Sequence, residues 1–223
     1  MATRTRRPER RQEPLSRERI VAAAVELLDS VGESGLTFRA LAERLATGPG
    51  AIYWHVTGKS ELLAAATDAV IGGALAADDL RATPRDAVRA LALGVFDALD
   101  VHPWVGAHLV STASHSPTLP LFERIGRQVR ALGVPESAQF TAASTLMNYI
   151  LGVAGQNAAN TRRVEPGTDR AAHLDRVAGT WAELDPEEYA FTRSVTEQLR
   201  GHDDRAEFAA GIDLILTGIA GRP

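Results

Sequence analysis

The chain has no cysteine among its 223 residues, so disulfides, thiolate-held metals and a cysteine nucleophile are excluded. No apolar run approaches the roughly 20 residues that span a membrane. The N-terminal MATRTRRPERR is basic but lacks the apolar stretch of a signal peptide. No alternating strand pattern of useful length, no internal repeat, no nucleophile elbow and no glycine-rich phosphate loop is present. Ser114 and His115 are adjacent in SHSPT, which is not the arrangement of a triad. His102, His108 and His115 are six and seven residues apart, unlike a helical metal pair, and there is no HExxH. These absences point to a soluble cytoplasmic protein with no expected metal or cofactor, and they leave an enzyme as a weak alternative. There is a single lysine, Lys59, amid abundant Ala, Arg and Gly.

What is present reads as helix. Hydrophobic residues make up 45% of the chain, enough for a substantial core. Ile20, Ala23, Ala24, Leu27, Leu28 and Val31 recur at helical spacing, with Ser16 as the cap and Gly32 as the stop. Thr37 caps a short second helix bearing Phe38, Leu41, Ala42 and Leu45. The turn ATGPG leads to a third helix over about 49–55, with Pro49 in its first position. Lys59 and Ser60 open a fourth, with Ser60 as cap, ending near Ala76. Further helices are predicted over about 84–99, from Pro103 and Trp104, over 119–132, 135–160 and 170–183, from Asp185–Pro186 to Gly201, and from a cap at Asp203 onward. The expected class is all-α, with about ten helices. A division is expected into a disordered basic arm (1–14), a helical head (15–62) and a larger helical body (63–223).

Charge is asymmetric. Residues 1–60 carry 10 Lys+Arg and 7 Asp+Glu, whereas residues 61–223 carry 14 and 21. A basic head on an acidic body suits an anionic partner met at one end, although a solvated basic tail would give the same numbers. Helices two and three have helix-turn-helix spacing, in which the second helix enters the major groove. Gly50 and Ala51 give that helix little bulk in its first turn, and Ile52 is assigned inward. Tyr53, Trp54 and His55 then fan over the exposed face. The tyrosine hydroxyl and the imidazole can each donate to phosphate oxygens, and Trp54 can lie against sugar or a thymine methyl. Lys59 adds an ammonium at the next helix start. In the competing reading, Tyr53 and Trp54 staple helix three to helix one.

The segment SRERIVAAAVELLDSVGESGLTFRALAERLATGPGAIYWHVTGKSELL resembles the DNA-binding head of the tetracycline-repressor family over about residues 16–65. The resemblance rests on YWHV-x-x-K-x-x-LL combined with LTFRALAERL. More distantly, HPWVGAHL, YILG and DLILTGI are similar to the C-terminal part of the tetracycline repressor. The resemblance implies a ligand-responsive dimer that represses transcription from palindromic double-stranded operator DNA. By position it implies phosphate contacts from Thr37, Tyr53, His55 and Lys59, and a base-reading role for Arg39. It sets Gly50, Ala51 and Trp54 where the family reads bases or methyl groups. Ala46 stands where a turn glycine is usual, and Gly48 where a polar cap is usual. Arg4, Arg6, Arg7, Arg10 and Arg11 either reach a minor groove or remain a solvated tail.

The family dimerises through its last two long helices, here about 135–160 and 204–220. Gly152, Ala154, Gly155, Gly211 and Gly218 would permit close approach, with Ile212 and Ile215 on the same surface. The alternative is that these glycines only weaken their helices. Candidates for a mostly apolar pocket holding a small organic effector are Phe96, His102, Trp104, His108, Phe122, Met147, Asn148, Tyr149, Gln156 and Trp181. About half of these are expected to be plain core. A body without a ligand remains a further reading.

Overall fold

A computed structural model describes residues 14–76, 82–109, 118–163 and 169–220. The arginine arm, Ser114, His115 and Pro117 lie outside the described residues. Among the described residues the chain is all-α, with eleven α-helices, one 3-10 turn and no strand. The elements are α1 (Arg17–Gly35), α2 (Phe38–Arg44), α3 (Pro49–Tyr53), α4 (Lys59–Leu75), α5 (Pro84–Val101), the 3-10 turn η1 (Val105–Ala107), α6 (Leu119–Ala131), α7 (Glu136–Arg163), α8 (Arg170–Ala182), α9 (Ala190–Ser194), α10 (Thr196–Arg200) and α11 (Asp204–Ala220). Two compact units divide between Ala66 and Thr67, inside α4. No helix of the described residues is long and apolar enough to cross a membrane.

The first unit, the head, follows from its caps. Ser16 Oγ accepts from the Arg19 amide at 3.3 Å, and Thr37 Oγ1 from the Ala40 amide at 3.1 Å. Each cap satisfies an amide that the first helical turn leaves without a partner. α1 breaks at Gly32, whose φ of 68° and ψ of -174° no bulkier side chain adopts readily. Ile20, Ala24, Leu28, Leu41, Ile52, Val56 and Leu62 form its buried set. Val31, assigned to the same stripe, is instead exposed, because the stripe ends where the helix breaks.

The second unit, the body, is built on α5, α6, α7 and α11. α7 packs against the other three, and α5 also touches α6 and α11. Val95, Phe96, Leu99, Ile125, Leu146, Ile150, Phe208 and Ile212 are in its core. Ion pairs join helices distant in sequence. Arg205 binds Asp97 through two bonds of 2.7 and 2.9 Å, and Arg89 meets Asp213 at 3.2 Å.

Three predicted elements differ. Of the described residues from Pro103 to Leu109, only Val105–Ala107 are helical, as η1. Ser60 lies within the first turn of α4 rather than before it, and the Leu62 amide donates to the Gly58 carbonyl. The helix expected from Asp185 to Gly201 is not continuous. Asp185 Oδ1 accepts from the Glu187 and Glu188 amides as a cap should, at 2.9 Å each. Yet residues 186–189 remain a turn, and the helical run divides at Val195. Ser194 and Thr196 bond back to carbonyls of the preceding turn, and β-branched Thr192, Val195 and Thr196 crowd the same stretch. Both effects work against a regular helix.

Candidate nucleic-acid interface

α2 and α3 pack together, joined by a turn in which Ala46 adopts φ 50°. That left-handed backbone costs a residue with a Cβ roughly 1 kcal/mol, which glycine would avoid. α3 ends at Tyr53, not His55. Trp54 closes it, and His55 lies in the turn beyond. Ile52 is fully buried and is α3's only buried side chain. Gly50 is exposed and Ala51 half-buried. A Cβ on Gly50 would meet nothing within 4 Å.

Trp54 is 90% exposed and Tyr53 53% exposed. The Tyr53 ring stacks on Phe38 of α2 with centroids 4.3 Å apart and planes 2° apart. The competing staple is therefore half present: Tyr53 braces α3 against Phe38 of α2, and Trp54 stays in water. Arg39, on the outer face of α2, meets Glu43 at 3.1 Å in an exposed pair. Such a pair stabilises by roughly 0.3–0.5 kcal/mol, so the guanidinium is easily redirected. Lys59 Nζ donates to the Glu33 carbonyl at 2.6 Å, tying the start of α4 to the chain just past Gly32. Thr37, Arg39, Tyr53, Trp54 and Lys59 are exposed, and His55 is half-buried.

A second set of contacts had not been singled out from the sequence. One Arg17 nitrogen donates to the His55 carbonyl at 3.0 Å and to Glu61 Oε1 at 2.6 Å. Glu61 Oε2 accepts from the Thr57 amide at 2.8 Å and its hydroxyl at 2.7 Å. These bonds, led by the Thr57 amide and the Arg17 guanidinium, hold the Glu61 carboxyl down to about 2. An acid in the first turn of α4 was a local signal for Thr57–Glu61. Arg17 lies 44 residues away and carries no such signal.

In the body, Phe96, Tyr149 and Gln156 line one groove of about 540 Å³ on α5, α7 and α11. Phe208 stacks between Phe96 at 4.8 Å and Tyr149 at 5.6 Å. The Tyr149 hydroxyl donates to the Phe208 carbonyl at 3.3 Å, and burial pushes its pKa up. The groove is mostly apolar, with polar side chains at its edges. Asn157, Asn160, His202, Asp204 and Glu207 also line it. The remaining candidates are not brought to it. Trp104 is buried near His102, ring centroids 6.3 Å apart, while Phe122 meets Phe140 edge-on at 6.1 Å. His108, Met147 and Trp181 are half-buried, and Asn148 is exposed. No group of His, Asp and Glu that could hold a metal occurs among the described residues.

Of the small residues, Gly152 and Gly218 are exposed and Gly155 half-buried. A Cβ on any of the three would meet nothing within 4 Å. Gly211 differs, because a Cβ there would overlap the Tyr149 phenol. Its smallness serves packing inside the chain. Ile212 is likewise fully buried within it, and Ala154 nearly so, whereas Ile215 is half-buried.

An all-helical chain with a capped helix-turn-helix at one end and a separate helical body belongs to the class of helix-turn-helix regulators. Comparison narrows this. Residues 20–66 match the family described as bacterial regulatory proteins, tetR family, and residues 78–222 match the tetracyclin repressor-like C-terminal domain. The chain belongs to the tetR family and is a transcriptional regulator, not an enzyme. It is similar to the transcriptional regulator SCO7222, a TetR from Streptomyces coelicolor, with 61% identity and a TM-score of 0.84 over 93% of this chain and 98% of that one. An HTH-type transcriptional regulator of Saccharopolyspora erythraea is 29% identical over 218 residues, 96% of this chain and 89% of the relative. A structure of BioQ with its double-stranded DNA operator is 25% identical, with a TM-score of 0.62 over 94% of this chain and all of that one.

Proposed function

We propose that this regulator acts in the cytoplasm as a homodimer, binds a palindromic operator as a repressor, and is released by a small-molecule effector bound in the body. The observation that carries the operator reading is Trp54. A tryptophan 90% exposed at the end of a five-residue helix contributes little to folding. A groove of DNA can cover it. BioQ, of related sequence and fold, has a structure with its operator DNA, which supports the same use here.

In this reading, Thr37 Oγ1 accepts from the Ala40 amide and keeps its proton for a phosphate. Tyr53, braced by Phe38, presents its hydroxyl to the backbone, as do His55 and Lys59. Arg39 exchanges Glu43 for guanine O6 and N7, a contact of about 1–3 kcal/mol that outweighs the exposed pair it replaces. Gly50 and Ala51 allow close backbone approach, and Trp54 meets sugar or a thymine methyl. Gly152, Gly155, Ile215 and Gly218 face a second copy, while Ile212 supports them from within. An effector that prefers one arrangement of the body shifts the heads out of register with successive major grooves.

The test is selection of bound genomic fragments with the purified protein at two salt concentrations. The expected result is a palindrome whose binding falls steeply with salt and is lost in Arg39→Ala and weakened in Tyr53→Phe. Recovery of unrelated fragments, unchanged by these variants, would overturn the reading. A thermal shift on adding effector candidates separates a ligand-responsive body from a body without a ligand.

A further inference from the structure

We propose that Arg17 and Glu61 are positioning residues for operator recognition, holding the turn between α3 and α4 so that Trp54, His55 and Lys59 face DNA together. The inference rests on the operator reading above and adds two residues that need touch no base.

The turn over residues 54–58 is held from three sides. Ile52 and Val56 anchor it from below, and the His55 and Val56 amides donate to the Ile52 carbonyl. Arg17, the first residue of α1, takes the His55 carbonyl from one side. Glu61, in the first turn of α4, takes both donors of Thr57 from the other. The Arg17–Glu61 bond closes the ring, so α1, the turn and α4 are joined through a single carboxylate using both of its oxygens. Hydrogen bonds to an ionised carboxylate are the stronger kind and the more directional.

The sign of the effect separates positioning from electrostatics. Glu61 places a negative charge beside a surface meant for a polyanion. If charge alone mattered, removing it would tighten binding to every duplex. If the carboxylate positions the turn, removing it weakens the operator complex while leaving scrambled DNA bound as well or better.

The experiment uses the full chain and the operator duplex recovered by selection, with a scrambled duplex as control. Affinities are read by fluorescence anisotropy for wild type, Glu61→Ala, Arg17→Ala and the double variant, with helical content checked by circular dichroism. Glu61→Ala is expected to raise the operator Kd about tenfold, as loss of charge-assisted hydrogen bonds does, without raising the scrambled Kd. The double variant should be no worse than the worse single, because the residues act as one unit. Should the alanine variant lose its helical signal, Glu61→Gln keeps an acceptor for Thr57 without the ion pair and should raise the operator Kd about threefold. An operator Kd unchanged or lowered in a folded Glu61 variant overturns the inference, as do independent, additive effects of Arg17 and Glu61. A wild type that prefers no sequence overturns the operator reading and this inference with it. A preference left undiminished in both folded Glu61 variants overturns this inference alone.

Discussion

Tyr53 and Trp54 of the head are largely open to water, whereas Phe96, Trp104 and Phe208 of the body are buried, two of them in a stack with Tyr149. The same residue class does opposite work in the two units. In the body these three rings bring apolar area out of water, although Phe140, Tyr189 and Phe191 stand exposed there, and removing a buried ring costs stability. In the head, apolar area is left in water on a short helix, and its removal should cost binding instead. The difference teaches that a ring's environment, not its identity, separates a core residue from a contact residue.

The contrast is sharpest under truncation. Phe208→Ala should destabilise the body by about 3–5 kcal/mol, read as a lower urea midpoint, because the two facing rings cannot collapse onto the gap. Trp54→Ala should change the head's stability by less than about 0.5 kcal/mol, yet weaken operator binding severalfold in the same preparation. Equal stability losses from the two would erase the distinction.

Glycines sharpen the comparison within the body. Gly211→Ala should cost about 1–3 kcal/mol in the folded chain, since the phenol of Tyr149 must move. Gly152→Ala meets open space and should favour its helix by up to about 1 kcal/mol, while weakening self-association in sedimentation if this face meets a second copy. The two variants thus separate packing within a chain from packing between chains.

Acid tests the head. The bonds from Thr57 and Arg17 hold the folded Glu61 carboxyl down to about 2, against an ordinary value of 4.5. A depressed folded pKa means that its contribution is complete above the ordinary value and is lost as pH falls from 4.5 towards 2. Glu61→Gln should therefore flatten the head's loss of stability below pH 4.5 in urea titrations, with little change at neutral pH beyond a constant offset. A small gain belongs to Ala46→Gly, which should stabilise the head against urea by at most about 1 kcal/mol by relieving the positive φ.

The head was legible in the sequence because its signals are local. Thr37 before Phe38, Pro49 after a turn, and a tryptophan beside Ile52 each read within a few residues. Arg17 escaped because its partners lie 38 and 44 residues away. The body was legible as helices, whereas the neighbours its side chains meet were not. Phe96, Tyr149 and Gln156 share a groove only because α5, α7 and α11 pack together, and Asp97, Asp213 and Arg205 fix that packing through long-range pairs. The same limit explains Gly211, whose reason is a phenol 62 positions back in the sequence. Residues 185–201 misled for a different cause. Asp185, Pro186 and Glu188 carry a strong start signal, but the hydroxyl and β-branched residues that follow withdraw the support a continuous helix needs.

The bond from Lys59 to the Glu33 carbonyl has a practical side. Lys59 is the sequence's one lysine, and it stands on the surface assigned to DNA. An acylating reagent thus finds a single side-chain amine, at the very place where occupancy would be reported. Besides the α-amino group the chain has one such address, and the rate of modification at Lys59 with and without duplex becomes a gauge of the bound state that requires no engineered tag.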